Sequence, residues 1–470
     1  MKKHNILKVV LISILLVFLC TWIFPTTSFS YSELVEGARS QVGLFDLFSY
    51  PLVSFSYFGY AFVYVLLCGA LYGVLNKIPA YKTMLNKIVK GFKGKEWLFL
   101  TITMVVVSTL TSVIGMSFGF IVLFPLIISL VMMMGYNKLV AASVTVGSVV
   151  TGLIGTTIGS NTVYYYTNLM SLSIFDEILS KIVIFVVTLI LLVFNVLSYA
   201  KKTKNTANKD DEELIPETIK VEKNKKIRIW PLALIFDLML IVMLLGNFSW
   251  TEVLKLNFFD EVLTYIQSDL NIKGFPIVYR VLGNVSAFGK WSFNMEMPFV
   301  VLITTGLLAL VYRVKFDDFI DGIAEGFKKT IKPAFVAILI FVVLIIATYH
   351  PFQLTLVKPL LELTEGINVV TMSAIAFLAS LFNVDPIYIA QSTIPYVISV
   401  ITDTGLYPLI EIIFQSIYGL TVLVLPTSLI LMVTLSYMDI SYGQWLKHIW
   451  KLFVEVLLVL IAIFVILLIV

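Results

Sequence analysis

The stretch TGLIGTTIGSNTVYYYTN, residues 151–168, decides the fold. It lies within a long apolar region, yet Gly152, Gly155 and Gly159 loosen any helix there, and Thr156, Thr157, Ser160, Asn161 and Thr162 bring hydroxyl and amide oxygens. A helix interrupted inside hydrocarbon exposes backbone N–H and C=O groups that protein, water or a solute must satisfy. Such an interruption is expected beside a polar cavity. Uncharged oxygen ligands next to free carbonyls suit a sodium ion, and helix N-termini beside them suit an anionic group.

The surrounding composition requires a membrane. Of 470 residues, 59% are apolar and only 13% charged, too much hydrocarbon for a water-soluble globule. Apolar runs long enough to cross a bilayer as helices recur throughout, so the expected class is an all-α polytopic membrane protein. Cys20 and Cys68 fall inside apolar runs, and His4, His350 and His448 are far apart, so neither a disulfide framework nor a metal site is expected. No nucleic-acid partner is implied. There is no phosphate loop and no paired nucleophile and base, which argues against a pump driven by ATP and against an enzyme.

Lysine placement orients the spans. Lys2, Lys3 and Lys8 put the N-terminus in the cytoplasm, and the six lysines from Lys77 to Lys95 put the loop after the second span there too. Counting onward leaves the C-terminus outside. The apolar part of residues 6–24 reads as an uncleaved first span rather than a signal peptide. Residues 201–228, of mixed charge and poor in large apolar side chains, read as a cytoplasmic linker. They separate a first half, 1–200, from a second, 229–470. In the second half an outer loop, about 248–296, is expected to hold an interfacial helix around 254–270. A charged amphipathic stretch then precedes a span from about 333 to 349.

Two regions repeat the same plan. In the first, an apolar run breaks at Gly115, Met116 and Ser117, a second run holds Pro125 and ends at Gly135, and a third is interrupted around 155–162. In the second, the breaks fall at Asn383, Val384, Asp385 and Pro386, then Pro395 and Gly405, then Pro426, Thr427 and Ser428. Loop charges make the two copies enter the membrane from opposite sides. Inverted repeats with broken helices are a recurrent plan of secondary transporters, because two related halves can exchange inward and outward states around one midplane site. Acidic residues inside apolar runs are functional candidates, and Glu411, within one helix run of Thr427, is the candidate proton carrier.

Residues beyond the breaks carry a resemblance. GKEWLFL from Gly94, GMSFGFIVLFPLI from Gly115, MGYNKLVAA from Met134 and LPTSLILMVTLSYMDISYGQWLK from Leu425 resemble YfcC-type carriers, relatives of the four-carbon dicarboxylate carriers in the ion transporter superfamily. Ser160, Asn161 and Thr162 match the Ser-Asn-Thr signature of the related divalent-anion and sodium symporters. Both hairpin tips depart from the family, with Phe118 and Gly119 near the first and Asp385, Pro386, Ile387 and Tyr388 at the second.

The resemblance implies an elevator-type dimer of two inverted repeats, each with a re-entrant hairpin (about 97–134 and 367–401) and a broken helix (about 139–170 and 408–438). The expected solute- and ion-binding residues are Gly115, Met116, Ser117, Thr156, Thr157, Ser160, Asn161, Thr162, Asp385, Thr427 and Ser428. The expected function is secondary active transport of a small carboxylate-bearing solute, a dicarboxylate or an amino acid, across the inner membrane. No cofactor is implied beyond sodium or a proton as coupling ion. The competing possibility is a membrane scaffold derived from such a carrier that no longer transports.

Overall fold

The computed structural model describes residues 5–30, 33–204, 214, 227–270, 275, 277–283, 285–291, 296–363, 368–382 and 385–469. It is an all-α polytopic membrane fold. Among the described residues, eight helices are long and apolar enough to cross a bilayer.

Helix α1 (Asn5–Ile23) leads to an antiparallel ribbon, β1 (Thr27–Ser30) and β2 (Glu33–Glu36), the one departure from an all-helical expectation among the described residues. Helix α2 (Asp46–Lys77) and the short α3 (Pro79–Gly91) follow, ending at the lysine-rich loop. The first hairpin comprises α4 (Glu96–Ile114), a 3-10 turn (Phe118–Leu123) and α5 (Phe124–Met133). Next come α6 (Lys138–Ala142), a π turn (Ser143–Gly147), α7 (Ser148–Ile154), the interruption, α8 (Ser160–Leu169) and α9 (Ile178–Thr203).

The second half opens with α10 (Trp230–Asn247). The stretch between α10 and the next long helix carries α11 (Trp250–Leu254), a helix at the expected place made of α12 (Phe258–Thr264) and the π turn Tyr265–Asp269 that continues it, and α13 (Ile277–Leu282). Helix α14 (Glu296–Val311) precedes α15 (Phe316–Tyr349). The charged stretch before residue 333 is therefore the first half of α15 and not a separate segment. Pro333 does not end it. Then come α16 (Gln353–Glu362), a second hairpin of α17 (Val369–Leu381) and α18 (Pro386–Val400), the broken pair α19 (Tyr407–Val422) and α20 (Leu429–Tyr437), and α21 (Tyr442–Ile469).

The first hairpin starts and ends at one place. Lys204 bonds Glu96, at the start of α4, at 3.0 Å, and lies 5.9 Å over the ring of Tyr136, just past α5. The chain thus turns back at Gly115, whose φ of 75° is the left-handed cap that ends α4. The second hairpin returns to the opposite end, where the ring of Tyr396 of α18 lies tilted at 5.9 Å from that of Phe29 of the ribbon. Packing follows the same scheme in both halves: α4 lies on α7 and α9, and α17 lies on α19 and α21. The halves also cross. Helix α7 packs on α19, α9 on α21, α18 on α8, and the 3-10 turn on α20.

Outside this core, α2 and α15 run antiparallel along their whole lengths, tied by Ser54 Oγ to Ile338 O at 2.8 Å and Tyr50 to His350 at 2.7 Å. Near the lysine-rich end, Gly69 and Gly73 of α2 meet Gly326 and Gly322 of α15, two small-xxx-small pairs that bring the backbones together. A Cβ at Gly73 runs into the carbonyl of Gly322. Gly73→Ala and Gly326→Ala are therefore expected to lower the melting temperature of the purified protein, by an overpacking cost of about 1–3 kcal/mol. Gly306→Ala on α14, with nothing within 4 Å of its new methyl, should leave it unchanged.

Candidate solute and ion site

The first interruption is closed by side chains. After α7 ends, the carbonyl of Ile154 accepts a hydrogen bond from Ser416 Oγ (3.0 Å), that of Gly155 from Ser112 Oγ (2.6 Å), and that of Thr156 from Gln415 Nε2 (2.6 Å). Ser112 comes from the first hairpin; Gln415 and Ser416 come from α19 in the other half. Thr157 N bonds both the carbonyl and the hydroxyl of Ser112, at 3.1 and 3.2 Å. Thr156 turns its hydroxyl back to Gly152 and Leu153. Three successive carbonyls released by the broken helix are thus satisfied before any ligand arrives.

Glycines make this closure possible. A Cβ on Gly159 would sit 2.7 Å from the backbone nitrogen of Gly115, so the hairpin tip rests directly on the end of the break. A Cβ on Gly155 would collide with the backbone of Phe185 on α9, and one on Gly419 with that of Ile154. Of the tip residues, Met116 is buried against the Cα of Gly119, and Ser117 is half-buried. The backbone of Ser160, Asn161 and Thr162 forms the first turn of α8; their side chains, like Asn383 and Val384, lie outside the described residues.

The second interruption, 423–428, is closed differently and less completely. Trp445 Nε1 donates to Leu423 O at 2.9 Å, and the hydroxyl of Tyr442 donates to Val424 O. These are the aromatic residues of the Tyr-Gly-x-Trp turn that opens α21. Thr427 and Ser428 are 6% and 1% exposed, and neither hydroxyl oxygen has a hydrogen-bond partner. Ser428 is the N-cap of α20, so the two free hydroxyls stand where that helix presents its own N–H groups.

Asp385 caps α18, with Oδ1 accepting from Tyr388 N at 2.8 Å. It lies within electrostatic reach of Tyr60 on α2, Tyr165 and Tyr166 on α8, and Tyr418 on α19. Asp385 thus opens a helix that packs on α8, the helix following the first break. Glu411 is not alone: its Oε2 lies 3.1 Å from Lys181 Nζ, with both side chains 2% exposed. Removing one partner of such a buried pair costs about 3–5 kcal/mol.

A small open cleft lies among α2, α3, α5, α15 and α20 at the lysine-rich end. It is lined by Tyr72, Asn76, Tyr81, Ser129, Glu325 and Lys329 and lies away from the breaks. At its edge the carbonyl of Leu214, a residue of the linker, accepts from Ser129 Oγ at 3.0 Å.

With this geometry in place, comparison with known proteins is informative. The family model for DcuC, the C4-dicarboxylate anaerobic carrier, matches residues 58–470. The chain belongs to this carrier family. The match spans both hairpins, both breaks, α15 and α2 from residue 58 onward, and it points to a carrier rather than an enzyme. No curated protein is similar enough in sequence to count as a match. The crystal structure of the Alcanivorax borkumensis YdaH transporter covers 98% of this chain and 97% of its own, at 14% identity and a TM-score of 0.41, a likeness too low to bear on the site.

Sequence reasoning passed over Ser112, Lys181, Gln415 and Ser416. The available signal was polarity at isolated positions in apolar helices, the same signal that selected Glu411. Ser112→Ala leaves the buried carbonyl of Gly155 unpaired and should cost about 1–3 kcal/mol, read as a lower melting temperature. Thr101→Ala, which removes an exposed hydroxyl bonded within its own helix, should not.

Proposed function

We propose that this member of the C4-dicarboxylate anaerobic carrier family is a secondary active transporter, of the YfcC type, for a small carboxylate-bearing solute, a dicarboxylate or an amino acid. It works as a dimer in the inner membrane with the N-terminus in the cytoplasm and the C-terminus outside, driven by sodium, by protons or by exchange. The observation that carries this proposal is the second interruption. Two buried hydroxyls without partners stand at the N-terminus of α20, and a carboxylate accepts hydrogen bonds from hydroxyls and backbone N–H groups alike.

An elevator-type movement fits the way the hairpins meet α2 and α15. Each return arm is held by tyrosine hydroxyl bonds across that boundary: Tyr64 to Gly119 O (2.5 Å) and Tyr72 to Val122 O (2.6 Å) at the first hairpin, and Tyr388 to Ala347 O (2.6 Å) at the second. A few such bonds, each contributing about 1 kcal/mol, hold one position without fixing it permanently. Sliding of the two hairpins and broken helices past α2 and α15 exchanges these bonds and leaves the closure of the first break by Ser112, Gln415 and Ser416 intact.

The test is uptake by the purified protein in liposomes, with four-carbon dicarboxylates and amino acids offered under imposed sodium gradients, proton gradients or internal solute. Saturable uptake of at least one carboxylate-bearing solute under one of these conditions is expected. Absence of uptake with every solute and every gradient contradicts the proposal and favours the scaffold alternative.

A further inference from the structure

We propose that the ammonium of Lys181 is a tethered cation, filling an oxygen-lined site beside the first interruption that would otherwise take a free monovalent cation, so that this site works without sodium. The consequence for coupling rests on the transporter proposal above; the site itself stands on geometry alone.

Lys181 Nζ lies 3.1 Å from Glu411 Oε2 and 3.5 Å from the carbonyl oxygen of Ile174. The other carboxylate oxygen, Glu411 Oε1, and the amide oxygen of Gln415, one helical turn on, are buried without hydrogen-bond partners. Carboxylate, carbonyl and amide oxygens are the ligands a hard monovalent cation takes. Asp176 and the buried phenol of Tyr166 also lie within electrostatic reach of Glu411, so the cluster is rich in oxygen and short of positive charge apart from Lys181.

The site is joined to the break on two sides. Gln415 donates to the carbonyl of Thr156, and on α9 Phe185, one turn beyond Lys181, is the residue whose backbone abuts Gly155. A carboxylate held in such surroundings must be neutralised by a proton, an ion or a fixed base. A fixed base satisfies it permanently and cannot dissociate, so no gradient does work at this position. Any ion that drives transport binds elsewhere.

The experiment compares melting temperatures of the purified full chain in sodium chloride and in choline chloride at equal ionic strength. Lys181→Met keeps the stem and removes the charge. Its melting temperature should exceed its choline value in sodium by several degrees more than the wild-type difference, and Glu411→Gln in the same chain should abolish that excess. The double variant should also be more stable than Lys181→Met in choline. An excess of zero in Lys181→Met, or one that persists after Glu411→Gln, overturns the proposal. So does a Lys181→Met protein that folds in neither salt, because no free cation then replaces the ammonium, and so does a double variant that fails to fold. Because no solute is added, a negative result here leaves the transport proposal standing, and failed uptake leaves this one standing.

Discussion

A carbonyl freed from a helix in the middle of a membrane has to be hydrogen-bonded by something, and this constraint organises the whole protein. At the first interruption the donors are Ser112 of α4 and the adjacent Gln415 and Ser416 of α19, about 300 residues further along the chain. The hairpin must reach the break for Ser112 to act, and α19 must cross α7 for Gln415 and Ser416 to act. Gly155, Gly159 and Gly419 allow the approach. The crossing of the two halves, more than any apolar contact, is therefore what lets the first helix break.

The two breaks share a plan and differ in outcome. The first is filled by protein hydroxyls and an amide, with a buried ion pair one turn away on each flanking helix. The second has two carbonyls covered by Tyr442 and Trp445 but leaves Thr427 and Ser428 open. Among the described residues, the hydroxyls left free within the interruptions themselves are those of Thr427 and Ser428 in the second. The first break is tied directly to α19 through Gln415 and Ser416.

Much of this was legible in the residues and some was not. Gly-rich and Pro-Thr-Ser segments announced the breaks because glycine and proline in a membrane helix release backbone groups wherever they occur. Gly115 announced the first tip, since a helix ending in hydrocarbon needs a left-handed residue. What closes the breaks was not legible: Ser112 and Gln415 resemble any isolated polar residue until the topology brings them to a carbonyl. The paired small-xxx-small segments of α2 and α15 lie about 250 residues apart, too far for local pattern to connect. The length of α15 was hidden by Asp317, Asp318 and Asp321, charges that suggest a loop but face outward on a continuous helix. Lys181, near the start of an apolar span, carried no sequence signal of its own, and its buried partner Glu411 lies 230 residues away in the chain.

The central claim is that the free hydroxyls of the second break hold the solute's carboxylate. The direct test is the affinity of the purified Thr427→Val, Ser428→Ala protein for the transported solute, measured with its melting temperature. Because neither hydroxyl has a protein partner, stability should be unchanged or higher, while affinity should fall roughly five- to 150-fold, corresponding to about 1–3 kcal/mol of lost hydrogen bonding. Unchanged affinity with a large loss of stability would contradict the account and make the two hydroxyls part of the packing.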